Sequence, residues 1–305
     1  MLTRSAQQFL QRLKHIDAGD RPATPRAVML MAPRQFGVAA DCASDNAYMV
    51  GRSPFDQALA QRQLRALAEA ICDCGVPVVT LPGLADTPDA VFPNNVFATL
   101  PGRLVIGAMR HPSRQRETRR DDVRALFASL FGYEVVDLGT ISDCIAELTG
   151  AVVIDRARGL GFHGLSQRLN PIGAQAIHEA LELEASLVFD LAPGEYHTNI
   201  LLSVLASRAA VVYPPGLECG SIVTILQAVY GDRVVMLDDA EKNAFAGNCI
   251  ALTDCDLFFS DTALRALRPA TLDQFARMNF VLHGIDVSEI EKAGGSLRCM
   301  VAEIY

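Results

Sequence analysis

The spacing of hydrophobic and polar positions predicts many short strands separated by a small number of helices. Residues 55–74 place Leu59, Leu64 and Leu67 on one helical face, which predicts an amphipathic helix. Less regular patterns predict helices over 1–20, 114–131, 171–183, 221–230 and 262–276. Short apolar runs between turn residues predict strands at 28–31, 76–81, 104–108, 133–138, 151–155, 160–165, 186–191, 200–205, 209–213, 234–237, 248–252, 256–260, 280–283 and 300–304.

The order of these elements constrains the fold class. Strands follow one another without an intervening helix too often for a doubly wound parallel sheet, and 160–165 is a plausible hairpin partner of 151–155. A strand-strand-helix-strand rhythm recurs along the chain, which is typical of propeller-like arrays. No linker rich in Pro, Gly or Ser divides the chain. We therefore expect one α/β domain over residues 1–305, with residues 1–25 as an N-terminal helical extension.

The last dozen residues combine features that suit a reactive cysteine. Gly294 and Gly295 allow a close backbone approach, and an apolar run from Met300 to Ile304 reads as a buried strand. Cys299 lies between them, beside Arg298, and a neighbouring cation can lower a thiol pKa from roughly 8.5 towards neutrality. Free cysteines are also among the most buried residue types, so a structural thiol is the alternative.

Composition narrows the function classes. Half of the 305 residues are apolar and 20% are charged, which supports a large core, and the net charge of −8 disfavours a nucleic-acid partner. No apolar run approaches a membrane span, and the N-terminus lacks the apolar core of a signal peptide. Eight cysteines are too dilute for a disulfide scaffold, and Cys72 and Cys74 lack a second pair for structural zinc. We expect a cytoplasmic protein.

Four polar stretches interrupt the apolar pattern. They are 89–97 with its paired amides, Glu147 before a buried strand, 166–168 with Arg168, and 196–199 with His197. A histidine suits acid–base catalysis, and a guanidinium can bind a carboxylate through two hydrogen bonds. A plain turn, an exposed glutamate, a surface arginine and a core histidine are the respective alternatives. Taken with Cys299, they meet the needs of thiol catalysis: a nucleophile, a proton shuttle and a carboxylate.

Six motifs from these regions resemble the guanidine-modifying, or amidinotransferase, superfamily. They are PDAVFPNN (88–95), ELTGAVVIDR (147–156), GLSQR (164–168), YHTN (196–199), FAGN (245–248) and GGSLRCMVAE (294–303). The chain most resembles the citrulline-hydrolysing branch, whose relatives include arginine deiminase, dimethylarginine hydrolase and succinylarginine dihydrolase. The resemblance spans about Val28 to Glu303, and it implies a five-bladed α/β propeller of ββαβ units.

The resemblance also implies roles for individual residues. Cys299 is implied as the nucleophile, His197 as the acid–base and Glu147 as the carboxylate that binds the substrate's terminal nitrogens. Arg168 matches the arginine that holds the substrate carboxylate. The remaining substrate-binding candidates are Asp89, Asn94, Asn95, Asn199 and Asn46. The implied substrate is a small amino acid, with no metal or organic cofactor, and a homo-oligomer is left open.

Two of these amides bear on the substrate. Asn95 and Asn199 stand where many relatives carry aspartate. A cationic guanidinium presents only donors and suits carboxylates, whereas a neutral ureido group also presents a carbonyl acceptor that suits an amide. We therefore expect hydrolysis of citrulline to ornithine, CO2 and ammonia through a covalent Cys299 intermediate.

Other activities remain open at this stage. An arginine deiminase or dihydrolase and an amidinotransferase share the triad, and a member that only binds an amino acid is the non-enzymatic alternative. Leu148 stands where the family usually has glycine, Val96 where tryptophan is frequent, and Ala151 where serine is frequent. These departures flank site residues, so they leave pocket shape and substrate choice open.

Overall fold

The computed structural model describes residues 1–17, 19, 21–49 and 54–305. Its strands follow closely the apolar runs of the sequence. In chain order they are β1 (Leu2–Thr3), β2 (Ala27–Ala32), β3 (Val78–Pro82), β4 (Phe97–Leu100), β5 (Arg103–Ile106), β6 (Glu134–Asp137), β7 (Val152–Asp155), β8 (Leu160–Leu165), β9 (Ala185–Leu191), β10 (Leu202–Leu205), β11 (Ala209–Val212), β12 (Leu217–Glu218), β13 (Val234–Met236), β14 (Ile250–Ala251), β15 (Asp256–Ser260), β16 (Val281–Ile285) and β17 (Ala302–Ile304).

The helices are shorter and more numerous than the hydrophobic periodicity predicts. They are α1 (Ala6–Leu13), α2 (Gln57–Asp73), α3 (Pro112–Gln115), α4 (Asp121–Ala125), α5 (Leu148–Ala151), α6 (Pro171–Ala180), α7 (Ile222–Tyr230), α8 (Asp239–Asn243), α9 (Asp261–Ala266), α10 (Pro269–Arg277) and α11 (Ser288–Glu291). In the described part of the chain, no helix is long and apolar enough to cross a membrane.

The described strands form five sheets that share one local topology. In each sheet an antiparallel pair is extended by a parallel third strand, as in β4-β5-β6, β7-β8-β9, β10-β11-β13 and β14-β15-β16. The fifth sheet joins the chain ends, because β17 pairs antiparallel with β2, and β2 pairs parallel with β3. The predicted hairpin of β7 and β8 is confirmed. The fold is a single-domain mixed α/β structure.

The N-terminal segment packs onto one of these sheets. Strand β1 pairs parallel with β9, and α1 buries Phe9 completely, with its ring 5.9 Å from that of Phe162. Ser5 caps α1 by accepting a hydrogen bond from the Gln8 backbone. The amphipathic N-terminal helix predicted from the sequence is therefore present, and its apolar side belongs to the core.

Two predicted helices are wrong in extent. The stretch 114–131 divides into α3, a 3-10 turn, α4 and a π-helical turn over Leu126–Leu130, because Arg114, Glu117 and Arg120 are buried in polar contacts rather than exposed on one face. The stretch 262–276 divides at Pro269, which holds Arg268 extended at ψ 151°. The sequence did not predict strand β4, since the stretch with the paired amides was interpreted as a turn or as part of a polar pocket.

In each sheet, the outer strand of the antiparallel pair, called here the first strand, is preceded by a short turn or helix that carries polar residues. Asn95 precedes β4, Glu147 precedes β7, His197 precedes β10, Asn248 precedes β14 and Cys299 precedes β17. Each of these residues lies in the short segment just before such a strand. The polar interruptions of the sequence are therefore the entrances to equivalent strands, and this repetition brings them to one site.

Candidate active site

Cys299 lies in a 3-10 turn, Leu297–Met300, that leads directly into β17. The turn places Cys299 against a cavity, called the cavity below, that His197, Asn95 and Arg168 also line. Only 4% of Cys299 is exposed, and its backbone N–H donates to Ser296 O at 3.0 Å. Gly294, with φ 77°, allows the tight approach that precedes this turn, because a Cβ there would lie 2.6 Å from Asn46 Nδ2.

Arg298 was expected to bring the pKa of Cys299 towards neutrality, and its charge acts in that direction but is outweighed by burial. Its guanidinium donates to Glu303 Oε2 at 2.7 Å and to Val301 O at 2.9 Å, so a carboxylate neutralises it. Burial raises the pKa of the Cys299 thiol above its usual range, and the hydrogen bonds and the Arg298 charge only partly oppose that effect. In this state Cys299 is a thiol at neutral pH, so a base must take its proton before it can attack carbon.

Two amides surround the Cys299 sulfur. Asn248 Nδ2 lies 3.3 Å from Sγ, and Asn199 Nδ2 lies 3.7 Å from Sγ while donating to Thr149 O at 3.1 Å. Both lower the pKa of Cys299, because an N–H donor favours the thiolate. Asn199, predicted as a substrate ligand, contacts the sulfur and does not line the cavity.

His197 and Glu147 form a buried pair on the segments that precede β10 and β7. His197 Nε2 lies 2.9 Å from Glu147 Oε2, and the two residues are 2% and 0% exposed. Burial lowers the pKa of His197, although the Glu147 carboxylate opposes this, so the imidazole is neutral at neutral pH. Burial alone would raise the pKa of Glu147, but Arg168 and His197 lower it overall, which keeps the carboxylate ionised.

Gly150, in α5, makes the position of His197 possible. A Cβ at Gly150 would lie 2.7 Å from His197 Cε1, 2.8 Å from His197 Nδ1 and 3.0 Å from Asn95 Cβ. Contacts this short do not occur for real Cβ atoms. The glycine of the ELTG motif is therefore required by close packing against the imidazole.

Arg168 is buried between two carboxylates. Its Nη1 lies 3.2 Å from both oxygens of Glu147, while Nη2 and Nε donate to Asp45 at 2.6 and 3.0 Å. The residue lines the cavity and is 2% exposed. Arg168 thus reaches the cavity, but carboxylates of the protein already occupy its donors.

Asn95 faces the cavity with its amide held in one orientation. Asn95 Oδ1 accepts from Arg114 Nη2 at 2.7 Å, and Arg114 also donates to Phe92 O at 2.9 Å. A guanidinium has only donors, so the atom facing it must be the amide oxygen, and Nδ2 is left as a donor. Behind this contact, Arg114 Nε lies 2.9 Å from Glu117 Oε1, and both residues are buried.

The remaining predicted residues lie at different distances from the cavity. Asp89 is 1% exposed and lines it, and neither of its carboxylate oxygens hydrogen-bonds to a described residue. Asn46 lines it and donates to Gly294 O at 3.3 Å. Asn94 is buried outside the cavity, and its side-chain amide has no partner among the described residues. Cys299 and His197 both line the cavity, whose empty volume is about 320 Å³ when the space open to solvent is included.

This arrangement has the groups needed for covalent thiol chemistry on a polar carbon. It joins a thiol beside two amide donors, a neutral imidazole held by a carboxylate, and a cavity with both anionic and cationic walls. The family profile described as N,N dimethylarginine dimethylhydrolase, eukaryotic, matches residues 32–305. The chain belongs to this family. It is accordingly a hydrolase that acts on carbon–nitrogen bonds, within the guanidine-modifying superfamily that the motifs resemble.

Relatives of the dimethylhydrolase family match over most of the chain. The N(G),N(G)-dimethylarginine dimethylaminohydrolase of Mycobacterium tuberculosis is 26% identical over 289 residues, which are 93% of this chain and 87% of that protein. The N-terminal domain of ArgZ, a cyanobacterial arginine dihydrolase, superposes with a TM-score of 0.79 at 20% identity, covering 91% and 97% of the two chains. A dimethylarginine dimethylaminohydrolase variant bound to S-methyl-L-thiocitrulline gives 0.71 at 20% identity, covering 92% and 100%. The structural likenesses establish the fold.

Several residues of this dimethylhydrolase-family site were missed from the sequence. Asn248 is the last residue of the FAGN motif, but no role was assigned to it from the sequence. Arg114 and Glu117 lie in the charged half of the stretch predicted as one helix, where they read as solvated side chains. Asp45 carried no signal, because its partner Arg168 is 123 residues away.

One further cluster has side chains of metal-ligating type. Among the described residues, Cys74, Asp256 and His283 bring their ligand atoms within 4.8 Å of one another, away from the cavity. His283 Nε2 lies 2.7 Å from Asp256 Oδ1 and 3.7 Å from Cys74 Sγ. Cys74 therefore meets residues of β15 and β16 rather than a second cysteine pair, and these contacts already form a hydrogen-bonded network.

Proposed function

We propose that the protein hydrolyses the ureido group of L-citrulline, with Cys299 as nucleophile, His197 as acid–base and Glu147 as the carboxylate that orients His197. This role replaces the expected binding of the substrate's terminal nitrogens by Glu147, because Glu147 is fully buried and does not line the cavity. The products are ornithine, CO2 and ammonia. The observation that carries the proposal is the Asn95 amide: Arg114 occupies its oxygen, which leaves Nδ2 as a donor on a residue that lines the cavity. That donor complements the ureido oxygen, whereas it opposes the donor groups of a guanidinium.

The first half of the reaction forms a carbon–sulfur bond. Neutral His197 takes the proton of the Cys299 thiol, and the sulfur attacks the ureido carbon. Asn248 and Asn199, at 3.3 and 3.7 Å from the sulfur, stabilise the thiolate during this step. The imidazolium then gives its proton to the departing nitrogen as that carbon–nitrogen bond breaks.

The second half releases the carbamoyl group. His197 takes a proton from water, the resulting hydroxide attacks the carbonyl carbon, and the carbon–sulfur bond breaks. The imidazolium then returns its proton to the sulfur, which restores the Cys299 thiol and neutral His197. The carbamic acid that leaves decomposes to ammonia and CO2. Glu147, held ionised by Arg168 and His197, stabilises the imidazolium that forms twice in this cycle.

The walls of the cavity suit the amino-acid end of citrulline. The Asp89 carboxylate makes no hydrogen bond to a described residue, which fits a role as acceptor for the α-ammonium group. Arg168 is proposed for the α-carboxylate, and Asn46 for the same end. We keep Asn94 and Asn199 as residues that shape the site, because neither lines the cavity.

Purified protein offered citrulline, arginine and dimethylarginine in parallel tests this proposal. Ornithine and ammonia from citrulline alone supports it, and Cys299→Ser should abolish that turnover while the protein remains folded. Asn95→Asp should lower kcat/KM for citrulline by roughly a hundredfold, which is the usual loss of one preorganised donor at the reacting oxygen. No ornithine from citrulline would refute the substrate assignment.

The activities of the relatives define the second candidate. ArgZ is an arginine dihydrolase, and the mycobacterial relative is a dimethylarginine dimethylaminohydrolase. The same assay distinguishes them: ornithine from arginine indicates a dihydrolase, citrulline accumulating from arginine a deiminase, and citrulline from dimethylarginine the family's named reaction. A more cationic substrate is favoured if the unpartnered Asp89 carboxylate binds the guanidinium instead of the α-ammonium group.

We also propose that the five sheets are the blades of one propeller. Three observations support this arrangement: the shared topology of the sheets, the closure of one of them by β17 and β2, and the location of the five site residues just before strands. Residues 1–305 would then form one domain, with residues 1–25 as an extension whose β1 and α1 pack on the sheet of β7, β8 and β9. An experimental structure in which the five first strands do not surround a common axis would reject the propeller.

A further inference from the structure

Asp45 is a buried carboxylate on which three basic side chains converge. Its oxygens lie 2.6 and 3.0 Å from Arg168 Nη2 and Nε, 2.9 Å from His111 Nε2 and 3.3 Å from Arg110 Nε. The Asp45 side chain is only 10% exposed, and Arg168 is 3% exposed at the side chain. The contact is therefore a charge-assisted pair in a site of low polarity, where each bond counts for more than on the surface.

The hydrogen bonds of Arg168 show which edge of its guanidinium group Asp45 binds. A guanidinium binds a carboxylate best through two parallel N–H groups. Asp45 takes the edge formed by Nε and Nη2, while Glu147 interacts with Nη1 at 3.2 Å. A ligand carboxylate that approaches Arg168 in the two-bond geometry therefore meets Asp45 at the edge it requires.

We propose that Asp45 competes with the substrate's α-carboxylate for Arg168 and so sets the affinity of the site for that end of the substrate. This inference rests on the proposed role of Arg168. Asp45 is then a positioning residue that acts through Arg168, and substrate binding exchanges one carboxylate for another on the Nε and Nη2 edge.

The surroundings of Asp45 allow that exchange. Oδ2 faces His111 and Arg110, so the carboxylate keeps a basic partner after it releases Arg168. Its neighbours on the same segment wall the cavity: Asn46 donates to Gly294 O, and Cys42 lines the same space. If Asp45 moves away from Arg168, it therefore does so next to the wall of the cavity, where a bound ligand would contact Arg168.

The test compares ligands that differ only in the carboxylate. Calorimetry measures the binding of citrulline and of its decarboxylated counterpart, carbamoylputrescine. All proteins carry Cys299→Ser to prevent turnover, and this background is compared with the same background plus Asp45→Asn or plus Asp41→Asn. Asp41 is the matched control, because it lies on the same segment and accepts from the Ser113 backbone at 3.0 Å without contacting Arg168. Asp45→Ser is the second variant should Asp45→Asn not fold.

Asp45→Asn should tighten citrulline binding by about tenfold, because a charged competitor for a charge-assisted bond is removed. The affinity for carbamoylputrescine should change by less than about twofold, since this ligand has no carboxylate that could bind the Nε and Nη2 edge of Arg168. Equal changes in affinity for both ligands, or weaker citrulline binding, would overturn the proposal. Asp45 would then have only a structural role beside the cavity.

The arginine and agmatine pair separates this proposal from the substrate assignment. If citrulline is not bound but Asp45→Asn tightens arginine and not agmatine, the Asp45 inference stands and the proposed substrate fails. If no carboxylate-bearing ligand gains affinity over its decarboxylated counterpart, the Asp45 inference fails whatever the substrate is.

Discussion

Gly150→Ala is the substitution whose effect on catalysis the structure defines most directly. The new Cβ would lie 2.7 Å from His197 Cε1 and 2.8 Å from His197 Nδ1. To restore an ordinary contact of 3.4 Å, the imidazole must withdraw by about 0.7 Å. It cannot do so freely, because Nε2 is held 2.9 Å from Glu147 Oε2 and the ring is buried.

The expected loss follows from that displacement. Misplacing a catalytic group by about 1 Å costs on the order of a hundredfold in rate, so we expect kcat to fall ten- to hundredfold. The overpacked site should also lose about 1–3 kcal/mol of unfolding free energy. The loss should appear mainly in kcat rather than KM, because His197 acts on the reacting atoms. The atoms nearest to the new Cβ belong to His197 and Asn95 rather than to Asp89 or Arg168, which are proposed to bind the amino-acid end of the substrate.

Initial rates with the protein's preferred substrate, with urea denaturation of the same samples, measure both effects. Gly220→Ala is the matched control, since a Cβ there meets no atom within 4 Å and the residue is not among the glycines with positive φ. Should Gly150→Ala fold and keep kcat within about twofold of wild type, the argument that the imidazole needs this position would be refuted.

Three other outcomes follow from the contacts. Asn248→Ala removes the donor 3.3 Å from Cys299 Sγ, so the midpoint of thiol alkylation against pH should rise by about one unit, and an unchanged midpoint would contradict the contact. Burial raises the pKa of Glu117 to about 8 from 4.5, so the folded state binds the extra proton and stability falls as pH rises between these values, by up to about 1.4 kcal/mol per unit. Glu117→Gln should remove that slope in denaturant titrations from pH 4.5 to 8, whereas a slope equal to wild type would assign it to other groups. Leu67→Ala, at a fully buried position of α2, should cost about 2–5 kcal/mol in the same assay, and a loss below about 1 kcal/mol would mean that the core collapses around it.

Local pattern was enough to predict most of the strands and the identity of the central residues. The amphipathic stretch 55–74 became α2 and the apolar run 160–165 became β8, because burial of one apolar face or run is decided within a few neighbouring residues. The motif resemblance predicted the superfamily and a C–N hydrolase, and the family match confirmed both. The roles of Cys299, His197 and Glu147 remain predictions that the observed geometry supports.

The arrangement of the candidate site depends on contacts between residues that are far apart in the sequence. Glu147 and His197 are 50 residues apart, Asn199 and Cys299 are 100 apart, and Asp45 and Arg168 are 123 apart. Their pairing depends on how the sheets assemble, which no local periodicity encodes. Arg298 illustrates the limit: its position beside Cys299 suggested a lowered thiol pKa, but Glu303 pairs with it and burial raises that pKa. The sequence by itself determined which residues are polar at the starts of strands, and only the tertiary structure decided their partners, because ionisation and orientation depend on neighbours in space.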